Sequence, residues 1–289
     1  PPRSTLFPYT TLVRSASDND WEDFCSAIND HFVTFHKQHV RLDSDIHITR
    51  MAGDHNWHAF SGTFDGNGHT IDVELPNMTD VYCAPFRFVY NGTVEHLKVT
   101  GFISSSSEKV GGVAAHADGL STFRNICSAV SYKDLKTDAT WDNGHQVAFG
   151  GIVGLIPAAY TGEHVVLNAC VFVGAVEGSG YTTFCSALVG MVETIDEEDF
   201  GYYMSHIDML NCFVNPAKAI GLNSDCYYFF REAWFGEYEN NYAAVYEDNS
   251  RRNFDDYMLS DEEYVYDRGT AKPEGLGNEV AKFDYVTFY

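Results

Sequence analysis

The chain has 289 residues, 45% of them hydrophobic and 15% aromatic, with a formal net charge of −23 at pH 7. That charge argues against nucleic acid and anionic membrane surfaces as partners, because both need Lys/Arg patches. No apolar run reaches the ~18 residues that a membrane-spanning helix requires.

The chain opens with Thr5–Ser15, TLFPYTTLVRS. A common sequencing adapter translates as TLFPYTTLFRS, so this stretch differs from it only by Val13 in place of Phe. Residues 1–15 are therefore expected to be a non-native, adapter-derived segment and are set aside from fold reasoning. Residues 16–30 read as a capping helix. Trp21, Phe24, Cys25 and Ile28 fall at i, i+3, i+4 and i+7 of Asp18–Asp30, and Asp18, Asp20, Glu22 and Asp23 crowd its first turn, where the helix dipole favours acids. Such a helix would cover the apolar end of whatever strands follow.

Val40–Ile48 alternates Val40, Leu42, Ser44, Ile46 and Ile48, the pattern of a strand with one face buried. Asp43 and Asp45 would then face the same side. A carboxylate pair at that spacing on a strand suits acid/base chemistry on a polysaccharide. The strands that follow carry few basic residues to hold a uronate, however; Lys98 and Arg124 stand alone. A loop brings His55-x-x-His58 beside Asp54 and Trp57. The pair is metal-like in spacing, but there is no HExxH, so no metal ligand is assigned.

Phe60–Leu75, FSGTFDGNGHTIDVEL, sets the pattern for the rest. Phe64 and Ile71 lie on apolar strands flanking Asp65, Gly66, Asn67 and Gly68, residues that supply the positive φ a sharp reversal needs. His69 belongs to the same motif and is expected to orient its backbone. Two interleaved series follow. FRNICSAV, VLNACVFVGAV and IDMLNCFV place Cys127, Cys170 and Cys212 at spacings of 43 and 42 residues. GGVAAHA, GGIVGLI and SALVGMV begin at Gly111, Gly150 and Ser186, spacings of 39 and 36. Two strand types recurring together at roughly forty residues read as two walls of one solenoid turn. The cysteines would form an inward ladder, and the pairs Gly111/Gly112 and Gly150/Gly151 would sit where walls bend and backbones approach. An antiparallel sandwich of similar strands is the alternative, but sandwiches seldom repeat two motifs in step. The cysteines are seven in all, with no C-x-x-C, and fit neither a zinc pattern nor a disulfide framework.

GTFDGNGHTI together with a recurring G-L-(apolar)-G element resembles the GLUG-repeat family of bacterial surface proteins. The element is Gly151-Ile152-Val153-Gly154, then Ala187-Leu188-Val189-Gly190, with a degenerate copy at Gly112–Ala115. The similarity runs from about Trp21 to about Tyr228. It implies a right-handed parallel β-helix over residues 31–235, secreted or displayed at the cell surface and adhesin-like. It also implies, as another context of the repeat, an accessory segment of a larger secreted metallopeptidase.

Residues 236–289 turn acidic and Tyr-rich and read as a C-terminal cap or a partly disordered tail. Two acidic stretches, Asp138 with Asp142 and Asn143, and Glu193–Asp199, suggest loose loop calcium, but neither has the ligand order of an EF-hand. No nucleophile elbow, P-loop or dinucleotide fingerprint occurs, so no catalytic residue and no cofactor is assigned. Aromatics crowd the C-terminal third. Tyr202, Tyr203, Tyr228 and Trp234 are the candidate binding residues, since flat rings stack on sugars. The sequence thus predicts an all-β parallel β-helix with a short N-terminal helix, acting as a non-catalytic adhesion or stalk module that binds a glycan or a host surface protein. The alternatives are a polysaccharide-acting β-helix enzyme using Asp43 and Asp45, and the peptidase accessory segment.

Overall fold

The computed structural model describes residues 13–137, 148–158, 164–178, 184–195, 203–204, 206–215, 226–227, 238–239, 241–245 and 265–267. Over these residues the protein is all-β, with parallel strands and one helix. No described helix is long and apolar enough to cross a membrane.

The helix spans Asp18–Asn29. Ser17 caps it: its hydroxyl accepts the Asp20 N–H at 3.4 Å, while the Asp20 carboxylate takes the Ser17 hydroxyl and the Ala16 N–H, each at 2.9 Å. The buried stripe is Trp21, Phe24, Cys25 and Ile28. Trp21 meets Phe86 edge-on at 5.5 Å between centroids and Phe64 at 6.2 Å, and Phe24 reaches Phe35 and Phe60. The Trp21 indole N–H is satisfied by the Arg50 carbonyl at 2.8 Å. The helix therefore closes the apolar end of the first strands, where each large side chain gains about 1.5–3 kcal/mol by leaving water.

Three parallel ladders make up the body. The first runs through His39–Leu42, Thr63–Asp65, Thr93–Ser105, Thr122–Ser128, His164–Asn168 and His206–Leu210. Their register stacks Val40, Phe64, Val94, Phe123, Leu167 and Met209 in one column, each 1% exposed or less. The second is Phe86–Tyr90, Ala114–Asp118, Val153–Ile156 and Val189–Val192. The third is Tyr82–Cys83, Lys109–Gly111, Ala148–Gly150, Phe184–Ser186 and Cys226–Tyr227.

The glycine series, expected to form one wall, straddles the corner between the third and second ladders. A Cβ on Gly111 or Gly150 would lie 1.8 Å from the carbonyl oxygen of Ala114 or Val153, so the bend admits hydrogen alone. Adjacent layers also touch through backbone there. A Cβ on Gly112 would be 2.1 Å from the Gly151 carbonyl oxygen, and one on Gly151 would be 2.1 Å from that of Ala187. Gly154 and Gly190 stand at the next contacts, 2.7 Å from the Val110 oxygen and 2.6 Å from the Gly154 oxygen by the same measure.

Three expectations are corrected. Cys127 does not stack with Cys170 and Cys212. Cys127 is in register with Lys98 and Val171, whereas Val171 pairs with Phe213. The first of these steps is therefore 44 residues (171 − 127), not 43, and the column holding Cys170 and Cys212 continues through Ile126 and Leu97. Asn125, Ala169 and Asn211, all at φ near +55°, are level corners of successive strands; Cys127 stands two residues after its corner, whereas Cys170 and Cys212 stand one residue after theirs. Next, Val40–Ile48 is not one strand. His39–Leu42 and Ile46–Ile48 are separated by a bend at Asp43–Asp45, so these carboxylates are not an i, i+2 pair on a wall. Last, the DGNG turn does not reverse the chain. Thr63–Asp65 and Thr70–Met78 both pair in parallel with Thr93–Ser105, and the intervening residues bulge over His96 and Leu97. Asn67 (φ +53°) and Gly68 (φ +81°) supply the turn, and Gly66 is held where a Cβ would strike the His96 oxygen at 2.6 Å.

Val13–Ser15, the last residues of the adapter-like segment, lie as a strand beside His39–Leu42, with the Ser15 carbonyl accepting the Asp43 N–H at 2.8 Å. An open strand edge binds backbone, and backbone is common to any extended sequence.

Candidate functional site

The second ladder is incomplete at its start, and the gap is filled by an excursion. Ala52 and Phe60 each form an isolated parallel bridge, to Phe86 and Val89. Between them the chain leaves the sheet and presents Asp54, His55, Asn56, Trp57 and His58 beside it. Both feet are pinned. The Ala52 carbonyl accepts the Arg87 N–H at 2.7 Å, and the Phe60 N–H donates to Phe88 at 3.0 Å. Asn29, at the end of the helix, donates to the Met51 carbonyl at 3.1 Å and accepts the Gly53 N–H at 2.6 Å.

The excursion is stiffened internally. Asn56–His58 forms a 3-10 turn, His58 stacks on Phe32 at 4.1 Å, and its Nδ1 lies 2.5 Å from the Asp54 carboxylate. Burial alone would push Asp54 up; the His58 hydrogen bond and the positive potential of His58 and His55 outweigh it and hold that carboxyl below its usual value. The His-x-x-His pair is thus used to fix the loop. Among the described residues, the one cluster with metal-binding spacing is Asp65, Glu95 and His96, whose ligand atoms lie within 4.8 Å of one another. Those groups are already engaged. His96 Nδ1 is 3.1 Å from Asp65, Asp65 accepts the Asn67 N–H at 2.8 Å, and Arg124 bonds to Glu95.

With the loop held away from the sheet, two adjoining cavities form along the second ladder. One of about 590 Å³ is lined by Trp57, Phe88, Tyr90, His116 and Asp118, among others. The other, of about 450 Å³, is lined by Asp54, His55, Asp80, Tyr82, Arg87 and Phe88, among others. Asn56, Phe88 and His116 belong to both, so the two make one trough. Strand register builds its floor: Phe88 pairs with His116 and Tyr90 with Asp118. Trp57 is 75% exposed and Tyr90 43%, while Phe88 is buried beneath. Tyr82 packs against Phe88 at 4.7 Å and edge-on to His116 at 5.8 Å.

Burial lowers His116 to about 4 despite nearby Asp118, so its imidazole is neutral at neutral pH. Burial also raises the Tyr82 phenol, with Glu193 and Glu108 adding to the effect. The cation in the trough, Arg87, is paired with Asp80 at 3.5 Å.

Of the residues singled out from sequence, Asp54, His55 and Trp57 line this trough. Tyr202, Tyr228 and Trp234 fall outside the described residues, as do Asp138, Asp142, Asn143 and the end of Glu193–Asp199. Tyr203 lies in a short antiparallel strand opposite Ile195. Asp43 contacts Arg41 at 3.5 Å. Asp45 accepts the Thr70 N–H at 2.8 Å and meets His69 at 3.3 Å, closing the start of the next layer's strand. Missed by sequence reasoning were Trp57, Tyr82, Tyr90 and His116 as neighbours. The usable signal was the alternation Phe86, Phe88, Tyr90, set against His116 and Asp118 once GGVAAHA is aligned with APFRFV. No protein-family model, curated protein or solved structure matches the chain.

Proposed function

We propose that the chain is a right-handed parallel β-helix from a secreted or surface-displayed bacterial protein, serving as an adhesion or stalk module that binds and does not catalyse. The observation that carries this reading is the six-strand column from Val40 to Met209. Equivalent side chains meet at every step of the parallel register, the arrangement that lets repeated layers stack into a long, uniform body. The likeness of GTFDGNGHTI and the G-L-x-G elements to the GLUG repeat points the same way. The carboxylates considered for polysaccharide cleavage have structural employment: Asp43 with Arg41, Asp45 with Thr70 and His69. A trough with exposed rings beside a rigid ladder fits a module that holds a ligand.

The test is co-sedimentation of the purified chain with insoluble polysaccharides and with bacterial and animal cells, while reducing ends are assayed in the supernatant. Retention without release of reducing ends is the expected result. Release at an enzyme-like rate, lost in Asp45→Ala, would replace this reading with the hydrolase.

A further inference from the structure

We propose that the trough beside the Ala52–Phe60 excursion binds a neutral polysaccharide chain, with Trp57 and Tyr90 as stacking platforms. The proposal rests on the binding-module reading above and gives that module its site and ligand class.

Three features of the trough select this ligand. The first is ring exposure. A tryptophan left 75% exposed on a loop pinned at both feet gives up apolar burial that it could otherwise have had, and it stands beside a tyrosine left 43% exposed. Flat apolar faces edged by Asn56 and Asp118 match the alternation of a pyranose, which presents an apolar C–H face and a rim of hydroxyls.

The second is charge. Asp54, Asp80 and Asp118 line the trough. Arg87 is the one Lys or Arg among its described lining residues, and Asp80 already holds it. His116 adds no positive charge at neutral pH. Within a chain of net charge −23, such a surface repels uronates, sulfates and phosphates, and neutral hydroxyls remain. The carboxylates accept hydrogen bonds from them.

The third is shape. Cavities of about 590 and 450 Å³ share Asn56, Phe88 and His116 and so lie end to end, each within the ~300–1,000 Å³ of ordinary ligand sites. That suits several linked sugar units. An extended peptide is the competing occupant, but peptides usually join a free strand edge. Here the edge of Phe86–Tyr90 is covered by the bridges to Ala52 and Phe60 and by the Arg87, Phe60 and Tyr90 hydrogen bonds they carry.

The experiment is native affinity electrophoresis of the whole chain in gels containing mixed-linkage β-glucan, xylan, mannan or dextran. Polygalacturonate and casein gels serve as the anionic and peptide arms. Wild type should be retarded by at least one neutral polysaccharide and by neither polygalacturonate nor casein. Trp57→Ala should weaken that retardation about tenfold or more, Tyr90→Ala by less, and Trp57→Phe should recover part of it. Addition of the retarding glycan should shift Trp fluorescence in wild type and not in Trp57→Phe. Circular dichroism of each variant separates lost binding from lost fold.

Three outcomes overturn the site proposal: no retardation in any neutral gel, retardation by polygalacturonate or casein instead, or neutral-glycan retardation indifferent to Trp57→Ala. The last leaves the binding-module reading standing with its site elsewhere. Release of reducing ends from the gel polysaccharide would instead remove the non-catalytic reading.

Discussion

Two stretches of the chain meet the same second ladder in opposite ways. Around Gly150-Gly151 every atom beyond the backbone is excluded; a Cβ on either glycine would lie about 2 Å from a carbonyl oxygen of the adjoining strand. Around Trp57, 29 residues (86 − 57) before that ladder's first full strand begins at Phe86, the chain leaves the sheet and sets a large ring in solvent. The glycine corner determines how layers stack, and the excursion determines what the stack presents. Stability and the proposed recognition therefore rest on different stretches, and substitutions should sort accordingly.

The largest effect belongs to the corner. Gly151→Val should destabilise by more than ~4 kcal/mol or prevent folding, since its side chain would meet the Ala187 carbonyl and the Phe172 ring. Gly68→Ala is the control. At φ +81° with nothing within 4 Å of its Cβ position, it carries only the conformational cost of about 1–2 kcal/mol. Urea titration of both variants measures the gap, and equal losses would remove the steric account of the corner.

Phe149→Ala comes next at about 3–5 kcal/mol, because the ring is fully buried and stacks on Tyr132 at 4.3 Å. Trp57→Ala should change stability by no more than about 0.5 kcal/mol while weakening glycan retention about tenfold or more. A large drop in its melting temperature would mean that the excursion braces the fold.

Two histidines should respond to pH in opposite senses. His116 is lowered by burial to about 4, so on acidification the unfolded chain, with its ordinary value of 6.5, takes up the proton first. Stability present above pH 6.5 should fall as pH drops toward 4, and His116→Leu should flatten that slope. His47 is raised, chiefly by its hydrogen bond to Asp72 across the layers at 3.1 Å and further by Asp72, Glu74 and Asp18, against a smaller opposing effect of desolvation. Its contribution is complete below 6.5 and is lost as pH rises through the raised value. With its side chain 43% exposed, its effect should be the smallest, visible as a shallow alkaline slope in melting temperature that His47→Gln removes.

Sequence patterns carried the repetitive part of this structure. Trp21, Phe24, Cys25 and Ile28 marked the helix because a buried stripe has a fixed period, and the spacings of 39 and 36 from Gly111 to Gly150 to Ser186 are the register of the third ladder. The same patterns misled where geometry broke the period. Ser44 continued an alternation through what is a bend, with its hydroxyl bonded to the Ala16 carbonyl at 2.7 Å. Cys127 stands one residue further past its corner at Asn125 than Cys170 does past Ala169, which a match of Cys to Cys does not reveal. The trough's loop residues Asp54, His55 and Trp57 stood out in the sequence, but their assembly with the strands did not. Its walls come from a loop without periodicity and from two strands, 31 (88 − 57) and 59 (116 − 57) positions beyond Trp57, which the register of Phe88 with His116 brings together.

Parallel in-register stacking underlies every part of this account, and engineered cross-linking tests it directly. Thr93 and Thr122 are register partners on half-buried positions of the first ladder. Neighbouring strands put such Cα atoms about 4.8 Å apart, within the span of a disulfide. Arg124 is two residues further along, some 8 Å from Thr93 and beyond that span. The native thiols Cys25, Cys83 and Cys127 are pushed up to about 12 by burial and should stay inert under mild oxidation. The structure predicts that Thr93→Cys with Thr122→Cys closes readily, while Thr93→Cys with Arg124→Cys does not. Closure of the second pair and not the first would contradict the register, and with it the layered body on which the trough is built.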